Sequence, residues 1–288
     1  TGASNTGIGY NALTANTTAD NNTAVGSNAL AANTTGTENV AVGSTAGDAL
    51  TTGSFNVAVG HAALSADTLG SRNTAVGLQA LAKQNFTTAT DSYNTGIGFF
   101  AGVEITTGVN NTLIGALAGD AATTAEAITA VGKGALSANT TGNFNVAVGA
   151  IALLDNTTGA NNVAVGLSAL ENNTTASNNT AIGYETLKAN TTGAGNTAMG
   201  AVAGLSVTTG SNNSLFGYGA GDAITTGASN VSIGAFSLSS ATTASSNTAI
   251  GTSTLTNNTS GINNVAIGVS ALTLNTTGTR GVAVGALA

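Results

Sequence analysis

The sequence predicts an all-β fold, a parallel β-solenoid (β-roll) of about 17 coils of 17 residues, and three observations carry that prediction. The first is a string, Asn-x-Ala-(Val/Ile)-Gly, that recurs from end to end, as at residues 22–26, 39–43 and 56–60. Its closing glycines run from Gly9 to Gly285, each 17 residues after the last, apart from one step of 21 between Gly77 and Gly98. That period is shorter than those of helical-pair and leucine-rich repeats and suits one solenoid turn. The second is the alternation inside the string, with β-branched residues on either side of a small one, the period-2 pattern of a strand. The third is the absence of proline, which would remove a ladder donor wherever it stood. Coils about 4.8 Å apart would make a rod of roughly 80 Å. Residues 1–288 read as one repeat domain with a four-residue insertion between 84 and 93.

Each column of the stack has a physical reason. The Asn that opens the strand (Asn22, Asn39, Asn56, Asn73 and onward, replaced only at Ile128 and Gly281) can bond from coil to coil as an amide ladder. The residue before the glycine is large and apolar throughout, so Val25, Val42, Val59 and Val76 are expected to form the core row. The middle residue then points outward. It is mostly Ala, as at Ala24, Ala41, Ala58, Ala147 and Ala164, and a small apolar outer row suggests that another chain packs there. Gly26, Gly43, Gly60, Gly77 and their equivalents imply positive φ or a backbone approach that a Cβ would block. Three residues after that glycine comes an Ala row, and then a Leu row. Gly replaces Leu at 47, 102, 119, 204 and 221, and there the Asn three places later becomes Leu50, Ile105, Ala122, Val207 or Ile224. Moving one apolar group between two corners keeps a packed cross-section filled. Thr-Thr-Gly completes the coil as its second turn, with Ala for Gly at 19, 89, 125, 176 and 244.

Composition removes several functions. Five Lys and Arg against twelve Asp and Glu, a net charge of −7, leave no basic field for nucleic acid and no basic amphipathic stretch for a membrane surface. Without cysteine there is no disulfide, thiolate nucleophile or Cys-based metal site, and one His builds no His-rich centre. The chain begins at Thr1 rather than Met and carries no signal peptide and no apolar run of 18 or more, which reads as a segment of a longer protein.

The remaining candidates for chemistry are few. His61 occupies the variable column after the glycine and reads as a surface residue. Asp48, Asp120 and Asp222 share an Ala-Gly-Asp-Ala context, but their coils are too far apart to converge on one ion, so they read as solvated turn carboxylates. The glycines of 217–221 follow from the array rather than from a phosphate loop, since no helix follows. No catalytic, cofactor or metal site is expected, and the chain reads as no enzyme. Sequons recur at Asn16, Asn33, Asn139 and Asn190, so N-glycans on the Asn-Thr-Thr turns are an expectation in an organism that makes them.

Residues 159–169, Gly-Ala-Asn-Asn-Val-Ala-Val-Gly-Leu-Ser-Ala, resemble the head repeats of the YadA-like trimeric autotransporter adhesins, which place a turn Gly seven residues before the Gly of a Ser-Val-Ala-Ile-Gly-x-x-Ala string. The resemblance covers all 17 coils, although Asn stands where that family often has Ser and the second turn is three residues longer. It implies a left-handed parallel β-roll, a homotrimer around one axis, display outside the cell or on its surface, and adhesion. The expected function is a structural and adhesive rod of an extracellular or cell-surface fibre, its partners being itself and a host or matrix surface. Tyr10, Phe99, Phe100, Tyr184, Tyr218 and Phe236 are possible contacts. The alternatives are a filament subunit stacking end to end, a phage fibre segment, and an ice-binding solenoid with Thr ranks.

Overall fold

The computed structural model describes residues 2–288 and is all-β, a parallel β-solenoid. The chain forms two compact units, divided between Phe144 and Asn145. The first stacks the strands Thr6–Ile8, Thr23–Val25, Val40–Val42, Val57–Val59, Thr74–Val76, Thr95–Ile97, Thr112–Ile114 and Thr129–Val131. The second stacks nine more, from Val146–Val148 to Val282–Val284. Within each unit every such strand pairs in parallel with the equivalent strand of the next coil, so that Thr23 faces Val40 and Val163 faces Thr180. One coil is therefore one repeat. Strands of three residues suffice because each is extended by flanking bonds: the Thr23 N–H donates to the Asn39 carbonyl at 2.8 Å and the Gly43 N–H to the Val25 carbonyl at 2.8 Å.

Tight left-handed corners close the coil. In the second coil Asn28, Leu30 and Glu38 have φ of 58°, 48° and 58°, and the same three places are left-handed in the other coils. That conformation is unfavourable for a residue with a Cβ. Here each corner N–H is held by a neighbouring coil, as when Leu30 donates to the Ala46 carbonyl at 3.1 Å. The strand-closing glycines have φ between 126° and 139°, and a Cβ at Gly26 would fall on the carbonyl of Gly43, so both reasons for glycine operate at once.

These corners leave a thin interior, and they reverse one expectation. The middle row, Ala24, Ala41, Ala58, Ala147 and Ala164, lies inside the coil with at most 1% exposure. Val25, Val59 and Val76 are half-buried and Val42 is 38% exposed, so the strand-closing row faces outward rather than forming the core. The reason is steric: across the interior from the middle position stand the Ala and Leu rows. A Cβ built on Gly96 would come within 2.8 Å of Leu81 Cγ, too close even for a methyl in that coil, and where the facing Leu is present the row holds nothing larger than Ala or Ser. Leu113 and Leu215 occupy the middle row only where the facing Leu is absent, opposite Gly119 and Gly221. The exchange of Leu for Gly between corners works in the same space, since Leu50, Ile105, Val207 and Ile224 are all buried and reach the vacancies at Gly47, Gly102, Gly204 and Gly221.

Buried amides stitch the coils together. The Asn39 N–H donates to Asn22 Oδ1 at 2.9 Å, the Asn56 N–H to Asn39 Oδ1 at 2.9 Å, and the Asn73 N–H to Asn56 Oδ1 at 2.9 Å. The side-chain amides of Asn22, Asn39 and Asn56 also cross their own coils, as when Asn22 Nδ2 donates to the Gly36 carbonyl at 2.8 Å. In the second unit Asn162 Nδ2 donates to the Ala176 carbonyl at 2.9 Å, and Asn162 Oδ1 accepts from the Asn179 N–H at 3.0 Å. Asn162→Ala therefore orphans the buried Asn179 N–H, while the Ala176 carbonyl keeps the Asn173 amide at 3.0 Å, and is expected to cost about 1–3 kcal/mol. A denaturant melt with an unchanged midpoint would show the ladder to be dispensable.

The insertion is absorbed without loss of register. Two short strands, Gly70–Ser71 and Thr90–Asp91, pair beside it, and Thr74 then faces Thr95 as the repeat requires. Residues 87–89 are left exposed at its tip, while Gln84 fills the place of the inner Asn.

Candidate functional site

With the two rows exchanged, the outer face of the stacked strands becomes the candidate site. The first strand row (Thr23, Val40, Val57, Thr74 and onward) and the last (Val25, Val42, Val59, Val76 and onward) both point outward. In all 17 strands these rows contain Thr, Val, Ile, Ser, Met and Phe and no charged residue. The exposure is substantial: Met199 is 46% exposed, Ile233 39% and Ile267 38%. Within each unit this gives an uncharged face of Thr, Val and Ile, half-buried to exposed, of the kind that suits a packing partner. Charged side chains stand on other corners, where Lys83 pairs with Glu104 at 2.6 Å and Lys188 with Glu185 at 2.7 Å.

Beside this face Tyr10, Phe99, Tyr184, Tyr218 and Phe236 are exposed, and Phe100 is half-buried with its ring 4.1 Å from that of Phe99. Tyr218 meets Phe236 edge-on at 5.2 Å. A separate stack lies at the insertion, where the Arg72 guanidinium sits 4.8 Å from the Phe55 ring centroid and 5.9 Å from that of Tyr93 and pairs with Asp91 at 3.1 Å.

The two Thr ranks differ in availability. The hydroxyl of Thr34 donates within the stack, to the Thr51 carbonyl at 3.1 Å, and only the following Thr35 is exposed. The sequon asparagines differ in exposure. Asn33, Asn139 and Asn190 are fully buried, and their Nδ2 atoms donate to Gly36, Gly142 and Gly193 at 2.9, 3.0 and 2.9 Å. A glycan on any of these three nitrogens would have to occupy the coil interior, whereas Asn16 is only half-buried.

Titratable groups are scattered. His61 is exposed. Asp48 and Asp222 are half-buried rather than fully solvated, and burial raises their carboxyl pKa values. Asp120 instead accepts the Ser137 hydroxyl at 2.6 Å. Among the described residues no three His, Asp or Glu side chains converge on a possible metal position, and no helix is long and apolar enough to cross a membrane.

Asp67 is the one fully buried carboxylate among them. Its Oδ1 accepts the Gly70 N–H at 3.0 Å and its Oδ2 the Gln84 amide at 2.7 Å, while Gln84 Oε1 accepts from Asn94 at 2.8 Å. Burial outweighs these donors and raises its pKa. A raised pKa in the fold means that this group's contribution to stability is full below the ordinary value of 3.8 and is lost as pH climbs through the raised one. Asp67→Asn restores the commonest residue of that column. We expect it to raise the melting temperature at pH 7 and to flatten its dependence between pH 4 and 7; a variant melting at or below the parent at pH 7 would refute this.

The sequence matches no protein-family model and no curated protein, so what is established of the chain is its architecture, an all-β parallel β-solenoid of 17-residue coils with an uncharged strand face.

Proposed function

We propose that the chain is a non-catalytic structural and adhesive segment of an extracellular or cell-surface fibre, in which copies of the chain pack on one another through the strand face. The observation that carries this reading is the run of outward Thr, Val and Ile side chains without a charge in any strand. A second copy is the partner whose rows share the same coil spacing, and an uncharged face brings no repulsion against itself. Three copies around one axis, the arrangement implied by the YadA-like resemblance, would turn every strand face inward and leave the aromatic corners and the insertion outward for attachment. The repeat then supplies length and stiffness by nearest-neighbour stacking.

Immunogold microscopy of producing cells, with antibody raised against the chain, tests the placement. Label along surface fibres is expected, together with loss of attachment in cells lacking the chain. Label confined to the cell interior would overturn the reading.

A further inference from the structure

A repeating face creates a difficulty for any assembly built on it. Sliding one copy past another by a single coil, about 4.8 Å, brings Thr or Val onto Thr or Val and Val or Ile onto Val or Ile again, so register is only weakly specified. Something outside the repeat must fix it.

One strand of the second unit departs from the pattern on both outward rows at once. In Ser214–Phe216 the first row carries its only Ser and the last row its only aromatic residue. A side chain larger than its row is thus matched, two residues away on the same outward surface, by one smaller than its row. On a solvated face size is unconstrained, whereas a packed face holds its volume constant. The strand is also braced from behind, because Leu215 is fully buried and fills the space at Gly221. The neighbouring first-row residues are Thr197 and Val231, both bulkier than Ser214.

Resting on the self-association proposed above, we propose that Ser214 and Phe216 are the register key of the assembly: parallel copies align so that Phe216 of one packs beside Ser214 of the next, at the same level. A slip of one coil sets the ring against Thr197 or Val231 and leaves a gap over Ser214. The face is large enough for such packing, since nine strands of the second unit, each with two outward side chains, present roughly the 800 Å² per partner of a standard interface.

The chain has no cysteine, so single-cysteine reporters are clean. Val165→Cys marks the last row of one chain, and Val163→Cys and Thr180→Cys mark the first row of another at the same level and one coil on. The Val165→Cys chain is mixed with each first-row variant in turn, unfolded, refolded together and oxidised, once in the parent sequence and once with Ser214→Val and Phe216→Ile, which restore ordinary repeat residues. With the key present, disulfides should join 165 to 163 and not to 180. Without it, cross-links between 165 and 180 should rise from undetectable to an amount comparable with those between 165 and 163. Cross-level links already present in the parent, or their continued absence in the variant lacking the key, would overturn the key while leaving self-association standing. A parent chain that refolds as a monomer without cross-links would instead remove the self-association on which it rests, and an assembled parent without cross-links would show another face in use and end both.

Discussion

Ala164→Asp is expected to destroy the local stack, whereas Val165→Asp, one residue along, should leave the chain folded. Ala164 is 0% exposed, in an interior that admits one methyl, and no cation is buried beside it. A carboxylate there must either be buried without a partner or force the coil open, at a cost of more than about 4 kcal/mol. Val165 points outward and is half-buried, so an Asp in its place should change the stability of the isolated chain by less than about 1 kcal/mol. It would, however, put a charge at the centre of the proposed interface. Melting curves at concentrations where the chain is monomeric separate the two variants, and equal loss of stability in both would contradict the assignment of rows.

The second large effect is at the strand-closing glycine. Gly166 has φ of 133°, a region that residues with a Cβ scarcely enter, and its Cβ would fall on the carbonyl of Gly183 in the next coil. Gly166→Ala therefore adds backbone strain to a steric overlap, and relief of either requires the coils to separate. The expected loss is at least about 3 kcal/mol, large for an Ala substitution. Hydrogen exchange should place the damage in the adjacent coils rather than over the whole unit, as expected for a one-dimensional stack. Uniform protection matching that of the parent would show that the glycine is not required.

The coil length, the parallel register and the site of the insertion were all legible in the spacing of the glycines. So was the compensation between the Leu row and the position three residues on, because it appears as paired substitutions such as Gly47 with Leu50. The facing of the strand was not. A rule that places the larger residue inside put Val25 in the core and Ala24 outside, but three left-handed corners per coil make the interior too narrow for that rule. A signal was present: Leu113 and Leu215 enter the middle row only in coils with Gly119 and Gly221, the mark of two positions sharing one interior space. The fate of the sequons was hidden for a different reason. A tripeptide does not reveal that Asn33 turns its amide inward to the Gly36 carbonyl. The uncharged outer rows could be read as a list but became a candidate site only once their direction was known.

The most direct test of the central claim, that the strand face is a surface for other copies of the chain, is the solution mass by light scattering of the parent and of Val165→Asp. The account predicts a parent mass at a whole multiple of the 27.4 kDa chain and a folded variant at, or much closer to, 27.4 kDa. A folded parent that stays at 27.4 kDa over a wide range of concentration would contradict it.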